Sequence, residues 1–119
     1  MTIDTARIYD KPRGSRGYRV LVDRLWPRGL RKEDVKVDLW LKDIAPSNAL
    51  RRWFGHEPKK WEQFKQRYFR ELDQRQDLVR TLISSAPSGL IVLLYGAKDI
   101  QHNQAVALKE YLESIPSKA

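Results

Sequence analysis

The chain has 119 residues and a mass of 14.0 kDa, which fits a single domain over residues 1–119. The absence of cysteine excludes disulfides, thiolate metal sites and cysteine nucleophiles. No apolar run reaches the roughly 18 residues that cross a bilayer, and residues 1–4 lack the basic and apolar regions of a secretory signal. We therefore expect a soluble cytoplasmic protein with no membrane partner.

The basic residues are concentrated in the first half of the chain. The net charge is +8, and residues 1–60 hold 15 basic and 8 acidic residues. Nine basic residues lie between Arg7 and Lys32, against only Asp10 and Asp23. Such a field attracts polyanions or small anions, although it is equally compatible with a basic surface that binds nothing specific.

Three segments of the first half carry strand patterns. Residues 1–9 form an extended segment, and residues 18–25 contain consecutive apolar side chains, which is typical of a strand covered on both faces. Residues 35–42 alternate apolar and polar side chains, which predicts another strand.

The second half alternates helices with one strongly apolar strand. Ser47 is placed to cap a short helix that Gly55 ends, and Pro58 begins a long helix that breaks near Asp73. Residues 90–95 predict a buried strand, and Asp99 is the candidate N-cap of a last helix. The pattern predicts an α/β fold: a small, mostly parallel sheet with helices packed on both faces.

Polar residues follow the two apolar strands 18–25 and 90–95. Ligands of open α/β sheets bind beyond the carboxyl ends of the strands, against the start of a following helix. If these strands are parallel neighbours, the polar residues converge on one cleft with the chemistry of an anion site. The candidate ligand-binding residues are Arg24, Arg28, Tyr95, Lys98 and Asn103. The candidate proton carriers, should a reaction occur there, are Asp23 and His102.

Each candidate also has a structural interpretation. In that interpretation Asp99 is a helix cap without a role in binding, and Tyr95 belongs to the core. Asp23 and Asp99 are the internal carboxylates that could neutralise the arginines. His56 either joins the cleft or caps the end of the short helix, and we favour the cap. Two histidines without cysteine argue against a zinc site, and no Gly-rich phosphate-binding motif points to a nucleotide cofactor.

Three blocks of the sequence resemble a known bacterial family. They are Val20-Leu-Val-Asp-Arg-Leu-Trp-Pro-Arg-Gly29, the segment from Ala45-Pro-Ser47 to Trp53-Phe-Gly-His56, and Leu93-Leu-Tyr-Gly-Ala-Lys-Asp99 with His102-Asn103. Together they are similar to the YeaO-like proteins, known as domain of unknown function 488. The resemblance covers residues 8–112 and implies a small cytoplasmic α/β domain with no established activity.

The resemblance also bears on mechanism. More distant members of the wider family carry Cys-His-Arg where this chain has Gln101-His102-Asn103. Because this chain lacks both the cysteine and the arginine, a thiol-based mechanism does not transfer to it.

Two other functions remain open at the level of sequence. A nucleic-acid-binding module would contact phosphates through basic residues of the first half and stack bases on Tyr18 and Trp26. Those basic residues are Arg7, Lys11, Arg13, Arg16, Arg19, Arg31 and Lys32. A protein-interaction domain is the third possibility, with no surface singled out.

Overall fold

A computed structural model describes residues 2–10, 17–86 and 89–115 of the chain. In these residues the strands form one four-stranded parallel sheet. The strands are β1 (Thr2–Arg7), β2 (Tyr18–Leu21), β3 (Leu39–Trp40) and β4 (Leu90–Tyr95), in the order β1-β4-β2-β3. All neighbouring pairs are parallel. This confirms the α/β class with a small parallel sheet, and it makes β2 and β4 adjacent.

Four α-helices connect or follow these strands in the described part of the chain. They are α1 (Asn48–Phe54), α2 (Trp61–Asp73), α3 (Gln76–Ser84) and α4 (Gln104–Glu113). Short 3-10 turns occupy Lys32–Asp34, Lys42–Ile44 and Pro58–Lys60. In the part of the chain that the structure describes, no helix is long and apolar enough to cross a membrane.

The two faces of the sheet are covered by different kinds of structure. Side chains of a strand alternate between faces, so Ile91, Leu93 and Tyr95 of β4 join the larger core cluster, which also holds the buried residues of all four α-helices. Val92 and Leu94 point to the other face, where residues 26–37 cover them. The only helical element described in that covering segment is the 3-10 turn Lys32–Asp34. The described α-helices therefore share one face, although the sequence predicts helices on both. An irregular segment with apolar side chains covers the second face.

The short helix begins and ends where the sequence predicts, whereas the long helix predicted from Pro58 begins as an α-helix only at Trp61, after a 3-10 turn over Pro58–Lys60. The Ser47 hydroxyl accepts a hydrogen bond from the Leu50 amide, and Gly55 adopts the left-handed conformation at φ 55°. The break near Asp73 separates α2 from α3. The bounds of β4 match the predicted strand 90–95.

Three further predicted bounds are wrong. The strand predicted over 35–42 is reduced to Leu39–Trp40, because Val35 and Val37 cover the second face of the sheet as part of the irregular segment. The strand predicted over 18–25 ends at Leu21, although the Val22 amide still donates to the Leu94 carbonyl. The last helix begins at Gln104, with Asn103 rather than Asp99 as its N-cap.

Candidate functional site

A cleft opens at the carboxyl ends of β2 and β4, where the sequence predicts the site. Its volume is about 470 Å³. The segments after β2 and β4 form two of its walls, and α1 with the residues before it forms the third. The charged and polar residues that line it are Asp23, Arg24, Asn48, Arg51, Arg52, His56, His102, Asn103 and Gln104.

Asp23 lines this cleft and is held in place by hydrogen bonds. Its Oδ2 accepts a hydrogen bond of 2.9 Å from the Gly96 amide, and its Oδ1 accepts one from the Gln104 side chain. The Trp40 indole donates to its carbonyl at 2.8 Å. Burial raises the pKa of the Asp23 carboxyl, while the Gly96 hydrogen bond, the Arg51 charge and the Gln104 hydrogen bond oppose that rise. The carboxylate thus joins the end of β4 to the start of α4.

The Arg24 guanidinium is weakly held by the segment that precedes α1. Its Nη2 lies 3.4 Å from both the Ala45 and the Pro46 carbonyl oxygens, at the long end of the hydrogen-bond range. Its Nε is buried without a hydrogen-bond partner among the described residues. Among the described residues, neither Asp23 nor Asp99 forms a salt bridge with Arg24. The two carboxylates that could neutralise this arginine therefore bond elsewhere, Asp23 to Gly96 and Gln104 and Asp99 to His102.

Two arginines of α1 also line the cleft, and neither is among the site residues predicted from the sequence. Arg51 and Arg52 are exposed and line the same cleft as Asp23 and Gln104. Their position follows from the amphipathic pattern of α1, whose buried residues are Leu50 and Phe54. The pattern alone predicts which residues of α1 face outward, but not that this outward side borders the ends of β2 and β4.

The segment before α1 is fixed by contacts to α2 and α3. Glu71 accepts hydrogen bonds from both the amide and the hydroxyl of Ser47, at 2.8 and 2.6 Å. The Tyr68 hydroxyl donates to the Ile44 carbonyl, and Arg75 donates to the Ala45 carbonyl at 2.7 Å. These contacts hold the third wall of the cleft in place.

His102 is oriented by Asp99 at the edge of the cleft. Its Nδ1 lies 2.9 Å from Asp99 Oδ2, and its amide donates to Asp99 Oδ1 at 3.0 Å. Hydrogen bonds from the Gln101 amide and from His102 lower the pKa of Asp99. The Trp61 ring packs edge-on against the imidazole, with 5.4 Å between ring centroids. An ionised Asp99 favours the tautomer with the proton on Nδ1, which leaves Nε2 as an acceptor.

His56 lies in the cleft wall rather than serving only to end α1. Gly55 supplies the left-handed residue after the helix, and its amide donates to the Arg51 carbonyl. His56 itself has φ 57°, a conformation that is uncommon for residues other than glycine. It is exposed and lines the cleft, so of the two roles that the sequence allows for His56 the structure favours the one in the cleft.

Of the seven residues proposed from the sequence, four reach the cleft and three do not. Asp23, Arg24, His102 and Asn103 line it. The side chain of Asn103 is committed to capping α4, since Oδ1 accepts from the Val106 amide and Nδ2 donates to the Asp99 carbonyl. The three residues outside the lining are Arg28, Tyr95 and Lys98.

Different causes keep those three residues away from the cleft. Arg28 is exposed on the turn after β2, and its carbonyl accepts a hydrogen bond from the Tyr9 hydroxyl. Tyr95 belongs to the core at 3% exposure, and burial raises its pKa. Lys98 is exposed in the segment after β4. The predicted convergence of Arg24 with His102 is found, and that of Arg28 is not.

Several of the residues proposed for nucleic acid make contacts within the fold. Arg19 is 4% exposed and donates to the Lys36 carbonyl, and Arg31 pairs with Asp34. The Trp26 indole donates to the Leu30 carbonyl. Arg7 donates to the Ala97 carbonyl and lies over the Tyr9 ring. Tyr18 packs against the larger core cluster and Lys32 is exposed, while Lys11, Arg13 and Arg16 lie outside the described residues.

Residues that could hold a metal ion do not cluster in the described ranges. No group of three or more histidine, cysteine, aspartate or glutamate side chains is close enough together there to do so. The chemistry of the cleft is therefore that of guanidinium, imidazole and amide donors around one carboxylate.

Sequence comparisons connect this fold and cleft with known proteins. A family model described as "Inactive DUF488-N3 subclade" matches residues 2–118. The chain is 41% identical over 115 residues to "Uncharacterized protein YeaO" of Escherichia coli K12, which covers 97% of this chain and 100% of that protein. It is 47% identical over 70 residues to "Uncharacterized protein Rv3073c" of Mycobacterium tuberculosis H37Rv, or 59% of each chain. No solved structure matches. The chain belongs to the DUF488 family, as a YeaO-like member of the subclade whose model it matches.

Proposed function

We propose that this protein binds a small organic anion, carrying a phosphate or a carboxylate, in the cleft at the carboxyl ends of β2 and β4. The proposal rests on one observation above all. Arg24, Arg51 and Arg52 line the same cleft, and none of them forms a salt bridge with a carboxylate among the described residues.

Unpaired guanidinium groups around a concave site favour an anionic ligand for two physical reasons. Like charges that share a cleft repel one another, and an anion between them relieves that repulsion. The guanidinium fork also matches the two oxygens of a carboxylate or phosphate, which gives orientation as well as charge. Arg24 supports this most directly, because its hydrogen-bonding capacity is poorly satisfied by the protein.

The proposed role is binding without turnover. The matching family model is described as inactive, and the chain has no cysteine to act as a nucleophile. The Ser47 hydroxyl, which lies at the start of α1, is engaged by Glu71 and by the Leu50 amide. The Asp99–His102 pair has the geometry of an oriented imidazole base, so a proton-transfer step at its Nε2 is the enzymatic alternative.

The binding proposal is tested by calorimetric titration with inorganic phosphate, phosphorylated metabolites and short carboxylates. We expect binding to the native protein and at least tenfold weaker binding to an Arg51→Ala variant, since loss of a charged contact costs about 1.5–3 kcal/mol. Arg51 is exposed and makes no side-chain hydrogen bond that the structure records, so the variant should fold normally.

Two further arginine variants control the experiment. Arg70→Ala removes an exposed arginine of α2 that does not line the cleft, and it should leave affinity unchanged. Arg28→Ala tests the site predicted from the sequence, which includes Arg28. Because Arg28 follows β2 but lies outside the cleft lining, this variant should also leave affinity unchanged. Equal losses in Arg51→Ala and Arg70→Ala would show that only net charge matters, and the proposal would fail.

A further inference from the structure

The position of Asp23 among the arginines carries information about the ligand. A carboxylate in an anion-binding cleft opposes the binding of a plain anion, because the two negative charges repel. Asp23 nevertheless lines the same cleft as Arg24, Arg51 and Arg52. It is not neutralised by a salt bridge with any of them, since none is found among the described residues.

Asp23 also retains hydrogen-bonding capacity. An ionised carboxylate has about four acceptor sites on its two oxygens. The Gly96 amide occupies one site on Oδ2, and the Gln104 side chain occupies one on Oδ1. Each oxygen therefore keeps one acceptor site, on a side chain that borders open cleft. The two existing hydrogen bonds fix the carboxylate and leave it able to accept from a ligand.

We propose that the ligand carries a hydrogen-bond donor, a hydroxyl or an ammonium group, beside its anionic group, and that Asp23 accepts from this donor while the arginines hold the anion. This inference rests on the proposed function and specifies its ligand. With such a donor on the ligand, the Asp23 charge favours binding instead of opposing it. A hydrogen bond accepted by a carboxylate contributes more to the binding free energy than one accepted by a neutral group.

The size of the cleft agrees with a ligand larger than an inorganic ion. At about 470 Å³ its volume lies within the range of roughly 300–1,000 Å³ that is typical of sites for small organic molecules. Apolar lining residues supply walls for a short carbon skeleton between the donor and the anion. Those residues are Leu25, Ala45, Pro46, Phe54, Phe64 and Ala97.

The test compares three probes of similar size that differ at one end. Ethyl phosphate has no donor on its carbon chain, 2-hydroxyethyl phosphate has a hydroxyl, and 2-aminoethyl phosphate has an ammonium group. We expect at least one of the two donor-bearing probes to bind the native protein about tenfold more tightly than ethyl phosphate does, as measured by calorimetric titration. Which of the two gains more identifies the donor.

The Asp23→Asn variant assigns the preference to this carboxylate. The preference for donor-bearing probes should fall to within about twofold in Asp23→Asn, while ethyl phosphate should bind at least as tightly as before because the repulsion is gone. Asp43→Asn, an exposed aspartate outside the cleft lining, should change none of the three affinities. The comparison of probes on the native protein stands even if Asp23→Asn folds poorly.

The outcomes separate this inference from the function on which it rests. If all three probes bind the native protein equally, the donor inference is wrong and the anion site stands. If the preference for donor-bearing probes is unchanged in Asp23→Asn, another residue accepts the hydrogen bond from the donor, and the assignment to Asp23 is wrong. If none of the probes and no other anion binds, the proposed function itself fails.

Discussion

Gly96 is the residue that lets Asp23 occupy its place. A Cβ atom added at Gly96 would lie 2.9 Å from Asp23 Oδ2 and 3.7 Å from the Tyr9 ring. The first distance is too short for unbonded carbon and oxygen, so the short Asp23 side chain would have to move. That movement would break the hydrogen bond between the Gly96 amide and the carboxylate.

We therefore expect Gly96→Ala to lower the free energy of unfolding by about 1–3 kcal/mol, the usual cost of forcing an extra methyl group into a packed site. Urea unfolding followed by fluorescence measures the change. In an Asp23→Ala background the same substitution should cost much less, because its clashing partner is gone. Equal costs in both backgrounds would contradict the assignment of the strain to the Asp23 carboxylate.

The ionisation of Asp23 should make stability depend on pH. Burial raises the folded-state pKa of this carboxyl above its unfolded value, so ionising Asp23 costs more free energy in the folded protein than in the unfolded chain. The contribution of Asp23 to stability is full below the unfolded pKa and is lost as the pH rises through the folded pKa. The free energy of unfolding of Asp23→Asn minus that of the native protein should thus be larger at pH 7 than at pH 4.

Urea titrations of the two proteins at several pH values measure that difference. Other titrating groups are common to both proteins and cancel in the subtraction. A difference that stays constant from pH 4 to pH 7 would mean that burial does not shift the pKa of Asp23 in the direction given by the structure.

At the scale of elements, local sequence signals predict the helices well and the strands unevenly. The Ser47 cap and the Gly55 terminus act within one turn of backbone, so they can be recognised without knowing the rest of the fold. Alternation over residues 35–42 shows only that one side of the segment is buried. It cannot distinguish a hydrogen-bonded strand from a segment that covers a sheet face, which is what Val35 and Val37 do.

The start of α4 shows how two capping signals compete. Asp99 and Asn103 are both good N-cap residues, and the sequence pattern predicts Asp99 as the cap. In the structure Asp99 instead accepts hydrogen bonds from the Gln101 and His102 amides in a turn that precedes the helix. Asn103 caps α4 and is itself tied to the Asp99 carbonyl. The turn places His102 before the helix and beside the cleft.

Removal of the true cap should be costly. Asn103 is 3% exposed, and its side chain accepts from the Val106 amide at 3.0 Å. We expect Asn103→Ala to lower the free energy of unfolding by about 1–2 kcal/mol. Asn48→Ala, at the exposed first residue of α1, should change it by less than about 0.5 kcal/mol. Comparable losses for the two variants in urea unfolding would contradict the capping role of Asn103.

The sequence predicts only those residues of the candidate site that directly follow the carboxyl ends of strands. Asp23 and Arg24 follow β2, and His102 follows β4, so the parallel-sheet rule brings them together. Arg51 and Arg52 enter the cleft because the segment before α1 is fixed to α2 and α3 by Glu71, Tyr68 and Arg75. Those contacts span more than 20 residues of chain, and no local pattern encodes them.

At the scale of the whole molecule, some of the basic residues make contacts within the fold and others line the cleft. Arg19 is buried between the sheet and the segment that covers its second face, where desolvation lowers its pKa. Arg31 is paired with Asp34. The arginines that line the cleft form no salt bridge with a carboxylate among the described residues. A net charge of +8 therefore reflects in part the needs of folding and not only a polyanion surface.

This division leads to the last prediction, which concerns salt. A protein that neutralises several phosphates of a nucleic acid loses affinity steeply as salt rises, with a logarithmic slope of roughly −0.7 per phosphate on single strands. A small anion in the cleft is displaced only by direct competition and by screening, so its affinity should fall gently between 50 and 200 mM salt. We expect labelled single-stranded DNA and RNA to show no binding with a slope steeper than about −2 in fluorescence anisotropy. A steeper slope that disappears when Lys11, Arg13 and Arg16 are all replaced by alanine, and not in Arg51→Ala, would favour a nucleic-acid module over the cleft.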